Sequence, residues 1–210
     1  MGELPLERGL EMLGELLAEE GQAADLVVIG GGALLLQGEL VRPTADLDVV
    51  ARFERGFLEA SQPFPEPLVR AVRRVGKALD LAHIPRDEKD WLNPGPSYLT
   101  KMGLPEGFEQ RLAVRTHGAL TIRIASRRDL IALKFFAASD PQRGPRRGID
   151  LADIRKLSPT HDEILHALRW CVRADGRQDF LQLDAAPLLV QLNIDSTPLF
   201  KELGAGLKNP

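Results

Sequence analysis

The sequence has almost no cysteine and no long apolar segment. One of its 210 residues, Cys171, is a cysteine, which excludes an intrachain disulfide framework and a cysteine-rich zinc site. No apolar run approaches the ~20 residues that span a membrane. Glutamates at positions 3, 7 and 11 lie among the first leucines, a pattern that does not match a signal peptide. We therefore expect a cytoplasmic protein without a membrane-spanning segment.

A strong excess of charge is also lacking, and aromatic residues are few. The chain has 27 lysines and arginines against 30 acidic residues, a net charge of −3. This balance argues against a general attraction to nucleic acids and allows only a local basic surface. The four histidines form no metal-ligand pattern. The composition, 44% hydrophobic and 27% charged, is that of a folded globular protein and excludes a wholly disordered chain.

The spacing of apolar residues predicts a mixture of helices and strands. Helices are predicted over about 5–20, 66–80, 127–139, 149–157 and 160–174, with one more near 187–192. Strands are predicted at 26–29, 45–51 and 119–125, and the stretch 85–118 is predicted to be a long irregular loop. We therefore predict an α/β fold of the α+β type, in which a small mixed sheet is surrounded by helices and followed by a helical C-terminal part. The predicted domains are 1–157 and 158–210.

The strongest functional pattern joins a glycine turn to a pair of acids. The apolar run Leu26–Ile29 leads into Gly30-Gly31-Gly32 and a short helix, and Asp46-Leu47-Asp48 follows in the next strand. Glycines at the start of a helix let the backbone approach a phosphate group. Side chains two apart on a strand share a face, so both aspartates project together while Leu47 and Val49 enter the core. Two such carboxylates suit a hard divalent cation such as Mg²⁺. The alternative is a plain tight turn followed by a solvated strand edge.

In this order and spacing, residues 29–49 resemble the DNA polymerase beta-like nucleotidyltransferase superfamily, which has a Gly-Gly or Gly-Ser turn followed by an Asp-x-Asp pair. The Arg-x-Thr at Arg42 and Thr44 is similar to a bacterial branch near the abortive-infection (AbiE-type) toxin nucleotidyltransferases. Segments 91–93, 126–134 and 150–154 also resemble that branch, so the resemblance covers roughly 25–157.

The resemblance implies a function and a set of site residues. It implies a nucleotidyltransferase core that uses Mg²⁺ or Mn²⁺ to move a nucleotidyl group from a nucleoside triphosphate to an acceptor. The acceptor would be RNA such as tRNA, a protein or a small molecule, and a toxin-like role would imply an antitoxin partner. Asp46 and Asp48 would be the catalytic metal ligands. The implied nucleotide-binding residues are Gly30, Gly31, Arg42, Thr44 and Lys134.

One departure leaves a second function open. Active members of the superfamily usually carry a third carboxylate on a later core strand, and the matching strand here, 120–124, has none. Asp129, Asp150 or Asp153 are the candidates to replace it. The alternative function is therefore a nucleotidyltransferase-like protein that binds a nucleotide or RNA with weak or no turnover. A third alternative is a purely structural partner in a regulatory complex.

Three weaker features also have two interpretations. Lys134 lies on an apolar stripe, so its amine either meets an anion in a cleft or reaches solvent over a buried stem. Trp91 and Tyr98 either stack on a base or pin a loop to the core. The helix predicted at 66–80 has a basic face that either binds RNA or polyphosphate or is simply solvated. That face consists of Arg70, Arg73, Arg74 and Lys77.

Overall fold

The computed structural model describes residues 5–39, 44, 46–81 and 90–206. The chain divides into two compact units. The sheet unit comprises Met1–Gly103 and Gly107–Ser126, and the helical unit comprises Leu104–Glu106 and Arg127–Pro210. The predicted division into 1–157 and 158–210 stays a prediction. Within the described ranges, no helix is both long enough and apolar enough to cross a bilayer.

The described part of the sheet unit is built on six strands. They are β1 (Ala24–Ile29), β2 (Leu47–Glu54), β3 (Phe57–Ala60), β4 (Leu92–Asn93), β5 (Ala113–His117) and β6 (Leu120–Ile124). Their order is β3-β2-β1-β6-β5, and β4 pairs with β2 beyond the end of β3. The β1–β6 and β2–β4 pairs are parallel, whereas the others are antiparallel. The sheet is therefore mixed, which confirms the predicted α/β class.

Four α-helices accompany the strands in the described part of the sheet unit. They are α1 (Pro5–Glu19), α2 (Gly30–Leu36), α3 (Glu66–Ala78) and α4 (Leu99–Met102). The predicted leucine stripe of α1 is confirmed, because Leu6, Leu10, Leu13 and Leu17 are each at most 3% exposed. Burial of one such side chain contributes ~1.5–3 kcal/mol. This stripe packs α1 against α3, β5 and β6.

The sheet also contains three strands that the sequence did not predict: β3, β4 and β5. The strand predicted at 45–51 begins at Leu47 and continues to Glu54, where Arg55-Gly56, both with positive φ, turn the chain into β3. The stretch 85–118, predicted as an irregular loop, contains β4, α4 and β5, and its residues 85–89 lie outside the described ranges. Most of β5 is exposed. An exposed edge strand shows no apolar alternation, which is why the pattern missed it.

The helical unit contains five α-helices in its described residues. They are α5 (Arg127–Ser139), α6 (Pro145–Leu157), α7 (His161–Asp175), α8 (Ala186–Gln191) and α9 (Ser196–Gly206). The prediction for α5 is confirmed, and this largely buried helix packs against both α6 and α7. The capping box of α7 is also confirmed: the Glu163 amide donates to Thr160 Oγ1 at 3.2 Å, and the Thr160 amide donates to Glu163 Oε2 at 2.9 Å. Helix α6 begins four residues earlier than predicted, since Pro145 is tolerated in a first helical turn.

Candidate functional site

The glycine turn lies where β1 passes directly into α2. Strand β1 is apolar and at most 4% exposed from Leu26 to Ile29, so it is held in the centre of the sheet. Gly30 then has φ +75°, a backbone conformation that L side chains rarely adopt. Ile29 at the N-cap gives α2 no side-chain cap. The sequence therefore forms the predicted strand, turn and short buried helix.

Antiparallel pairing of β1 with β2 brings the glycine turn and the acid pair together. Ile29 is the register partner of Asp48. A Cβ added to Gly30 would lie 2.4 Å from Asp48 Oδ2, and one added to Gly32 would lie 2.9 Å from the Asp46 carbonyl oxygen. The two glycines thus allow a close approach between the turn and the acid pair itself. Both motifs belong to one site at this end of β1 and β2.

The acid pair has the predicted orientation. Leu47 and Val49 are completely buried, whereas Asp46 and Asp48 are half-buried. Asp46 directly precedes β2 instead of lying within it. Thr44 Oγ1 donates a hydrogen bond to the Asp46 carbonyl oxygen at 3.2 Å, which ties down the chain that enters the strand. Arg42 lies outside the described residues, and the phosphate role predicted for it and for Thr44 stays a prediction.

A third polar side chain joins this site from β4. Asn93 is the parallel register partner of Asp48, and Asn93 Nδ2 donates to Asp48 Oδ1 at 2.8 Å. The same amide accepts through Oδ1 from the Gly95 N–H at 3.0 Å. Asn93 is only 6% exposed. Asp48 is therefore held between an amide donor on one side and the bare α-carbon of Gly30 on the other.

Trp91 anchors the segment that carries Asn93. Its indole is 1% exposed, and Nε1 donates to the Val72 carbonyl of α3 at 2.9 Å. Its own carbonyl accepts from the Leu47 amide at 2.7 Å. Of the two interpretations of Trp91, pinning a loop to the core is confirmed and base stacking is wrong. Tyr98 is 52% exposed, and its role stays open.

Strand β6, which lacks a third carboxylate, carries an arginine that is paired with an aspartate of β1. Arg123 on β6 makes two 2.8 Å hydrogen bonds to the carboxylate of Asp25 on β1, and its guanidinium lies 4.0 Å from the ring centroid of Phe53. The hydrogen bonds that Arg123 donates to Asp25 raise the pKa of Arg123, although burial opposes them. Within the described ranges, no three His, Cys, Asp or Glu side chains gather as a metal cluster would require.

The remaining predicted site residues lie in the helical unit and bind one another. Lys134 Nζ is 3.0 Å from Asp150 Oδ1 and 2.7 Å from Asp153 Oδ2. Arg143 Nε lies 2.9 Å from the other oxygen of Asp150. The Lys134 side chain is 6% exposed, so the interpretation in which its amine reaches solvent is wrong. The nucleotide role of Lys134 and the role of Asp150 or Asp153 as a third carboxylate stay predictions.

Asp129, the third candidate acid, also has a partner in this unit. It is completely buried, and its Oδ1 lies 3.2 Å from His166 Nε2.

The single cysteine, Cys171, is buried on α7. Burial raises the pKa of Cys171, which keeps the thiol protonated and unreactive.

The basic face of α3 is exposed, but acids are paired with much of it. Arg70 is 3.8 Å from Glu66, Arg73 is 3.3 Å from Asp90, and the third pair joins Arg74 to Glu20 at 3.6 Å. Each arginine side chain is at least 64% exposed, and such surface pairs contribute little to stability. The geometry favours a solvated face over an RNA-binding one.

Sequence reasoning missed the contribution of Asn93 to the acid pair. It singled out the segment 91–93 by resemblance alone and gave Asn93 no role. The available signal was local: an apolar pair, Trp91-Leu92, is followed by a single amide and then by the turn formers Pro94-Gly95. That pattern indicates a short buried strand with one polar residue at its end. Its partner on β2 could not be read from the sequence.

Comparison with known families gives one match. A family model described as a nucleotidyltransferase of unknown function (DUF6036) matches residues 8–156. No curated protein and no solved structure matches the chain. The matched span includes the glycine turn, the acid pair and Asn93.

Proposed function

The chain belongs to a family of nucleotidyltransferases of unknown function, and from this membership we propose that it moves a nucleotidyl group from a nucleoside triphosphate to an acceptor, with Mg²⁺ or Mn²⁺ on Asp46 and Asp48. The observation that carries the proposal is the pairing of Ile29 with Asp48. It joins a glycine turn suited to phosphate and a carboxylate pair suited to a cation at one end of two neighbouring strands.

The donor set fits a magnesium-type cation. Mg²⁺ prefers oxygen ligands, keeps several waters, and is usually held by one or two carboxylates together with substrate phosphates. Asp46 and Asp48 supply two carboxylates, and both are half-buried. A site with a closed cage of protein ligands would suit such a cation less well. When bound, the cation would neutralise charge on the phosphates during transfer.

The protein's own residues would position the reactants. Asn93 and the α-carbon of Gly30 fix the Asp48 carboxylate, while Thr44 secures the chain at Asp46. Gly30 and Gly31 have no side chains between their backbone and an incoming phosphate, which favours close contact. Because phosphoryl and nucleotidyl transfer depend mainly on positioning and charge stabilisation, a rigid acid pair is the main requirement.

A specific observation favours a second candidate, a protein that binds a nucleotide with weak or no turnover. The amide that donates to Asp48 is the neutral side chain of Asn93. Strand β6, which matches the strand that carries the third carboxylate in active members of the superfamily, has Arg123 and no acidic residue. Two carboxylates can hold a cation without providing a base for the acceptor. This candidate shares the metal and the nucleotide with the first and differs from it only in catalysis.

The acceptor and the biological role are the least constrained parts of the proposal. RNA such as tRNA, a protein and a small molecule all remain acceptors of the right chemistry, and the paired arginines of α3 give RNA little advantage. A toxin-like role with an antitoxin partner, a place near the AbiE-type branch and a cytoplasmic location rest on the resemblance or on composition.

Calorimetric titration of ATP, GTP, CTP and UTP, with and without Mg²⁺, tests the shared part of both candidates. We expect at least one triphosphate to bind the wild type only with Mg²⁺, and Asp46→Asn/Asp48→Asn to lose this binding. Glu59→Gln, which removes an exposed carboxylate from β3, is the control and should bind like the wild type.

Failure of every triphosphate to bind the wild type, or equal binding by the double variant, would overturn the proposal. Release of pyrophosphate then separates the two candidates. Mg²⁺-dependent release that exceeds the double variant's supports the transferase, whereas binding without release supports the second candidate.

A further inference from the structure

The Asp48 carboxylate accepts a hydrogen bond from Asn93 and lies close to the glycine turn. Oδ1 accepts from Asn93 Nδ2 at 2.8 Å, and Oδ2 lies 2.4 Å from the position that a Cβ on Gly30 would take. Rotation of the carboxylate would break the hydrogen bond from Asn93. This bond therefore orients the carboxylate beside the turn.

Asn93 is itself held by contacts that do not involve the Asp48 side chain. Its Oδ1 accepts from the Gly95 N–H, which orients the amide so that Nδ2, the donor nitrogen, faces Asp48. The backbone on either side is secured by the pairing of β4 with β2 and by the buried indole of Trp91. Because both amide atoms are used and the residue is 6% exposed, its orientation is well determined.

We propose that Asn93 is a positioning residue for the acid pair: its side-chain amide sets the orientation of the Asp48 carboxylate and thereby the affinity of the site for a divalent cation. The inference rests on the proposed function, since it assumes that Asp46 and Asp48 bind a cation. Groups that hydrogen-bond to metal ligands orient them, and their loss typically lowers metal affinity about 10–100-fold.

The position also limits the charge of the site. Asn93 contributes a neutral amide beside the carboxylates of Asp46 and Asp48. Aspartate there could keep the acceptor for Gly95 N–H but would place a carboxylate oxygen beside Asp48 Oδ1. Two carboxylate oxygens at this separation repel unless a cation lies between them, so the change should strengthen cation binding. Asn93 thus sets the cation affinity through both the orientation and the charge of the site.

The test is a Mn²⁺ titration of the full chain, followed by electron paramagnetic resonance of the free ion. We expect Asn93→Ala to weaken Mn²⁺ binding about tenfold and Asn93→Asp to strengthen it. Ser61→Ala is the matched control, because Ser61 is completely buried and donates to the carbonyls of Val49 on β2, at 2.7 Å, and Pro94, at 3.4 Å. This variant removes a buried polar contact beside Asn93 but leaves the Asn93 amide in place. It should lose a similar amount of thermal stability and keep its Mn²⁺ affinity within twofold.

A residue that merely supports the fold would not change the affinity in opposite directions in its two variants. Equal weakening by Asn93→Ala and Ser61→Ala would overturn the inference, as would an Asn93→Asp variant that binds like the wild type or more weakly. If the wild type binds Mn²⁺ and Asp46→Asn/Asp48→Asn does not, such results overturn only the role of Asn93. A wild type that binds no Mn²⁺ overturns the proposed function together with this inference.

Discussion

Two pairs of aspartates in this protein lie in opposite environments. In the helical unit, the side chains of Asp150 and Asp153 are 9% and 3% exposed, and Lys134 bridges them while Arg143 holds the first. In the sheet unit, Asp46 and Asp48 are half-buried. Thr44 donates to the main-chain carbonyl of Asp46, and the amide of Asn93 donates to the Asp48 carboxylate. We call the four side chains of Lys134, Arg143, Asp150 and Asp153 the compensated cluster, and Asp46 with Asp48 the acid pair.

The difference concerns what each arrangement can do. Burial of a charge is costly unless an opposite charge with good geometry balances it. The compensated cluster has two carboxylates and two cations in direct contact. These ion pairs explain why charged side chains lie buried there without any ligand. The acid pair is half-buried, so its carboxylates are accessible to an external cation. Of the two, the acid pair is the better candidate for ligand chemistry.

The largest expected effect is on the compensated cluster. Lys134→Met would leave two buried carboxylates without their shared cation, and breaking a buried pair in this way costs about 3–5 kcal/mol. Denaturant unfolding should show this loss. Lys156→Met, at an exposed position of α6, should stay within about 0.5 kcal/mol of the wild type. Equal stability of the two variants would mean that the cluster is not the structural element described here.

A smaller effect is expected at the acid pair, where two glycines provide a matched test. Gly30 and Gly38 have φ of +75° and +76°, but only Gly30 has Asp48 against the position of its missing Cβ. Gly38→Ala should cost about 1–2 kcal/mol for its backbone conformation alone. Gly30→Ala should cost at least about 1 kcal/mol more, because it displaces the carboxylate.

Mn²⁺ affinity gives this comparison a second readout. It should fall in Gly30→Ala and remain unchanged in Gly38→Ala, since no described residue beyond its chain neighbours lies within 4 Å of the added Cβ at Gly38. Matching losses of stability and of affinity in the two variants would contradict the close contact between the turn and Asp48.

The smallest effect is a pH dependence in the helical unit. Burial raises the pKa of Glu163, but hydrogen bonds from Arg127 and Thr160 outweigh it and hold the pKa below its ordinary value of 4.5. A lowered pKa in the folded state stabilises the protein above the unfolded value, and this contribution is lost as the pH falls through the folded value. Below pH 4.5 the wild type should therefore lose stability more steeply than Glu163→Gln in thermal melts. Parallel curves would contradict this assignment.

The local parts of the structure could be predicted from the sequence. The leucine stripe of α1, the buried helix α5, the capping box at Thr160 and the inward positions of Leu47 and Val49 each follow from residue spacing along one element. The spacing also placed the glycine turn at the start of α2. These features depend on neighbours in the chain, which is why pattern analysis found them.

The long-range parts could not be predicted. Strand β5 is exposed and lacks alternation, so only its pairing with β6 makes it a strand. The contact of Asn93 with Asp48 joins residues 45 positions apart. Lys134 appeared as a lysine on an apolar stripe, and its partners on α6 were not evident because helix packing brings them together. The residues of the functional patterns could be identified in the sequence, whereas the distant side chains that pair with them could not.

Mn²⁺-induced broadening of backbone amide signals in the full chain tests the central claim most directly, because it locates a bound cation by residue. The account predicts selective broadening centred on Gly30, Asp48 and Asn93, which disappears in Asp46→Asn/Asp48→Asn. Broadening that persists unchanged in the double variant, or no selective broadening in the wild type, would contradict the claim that the acid pair is the cation site.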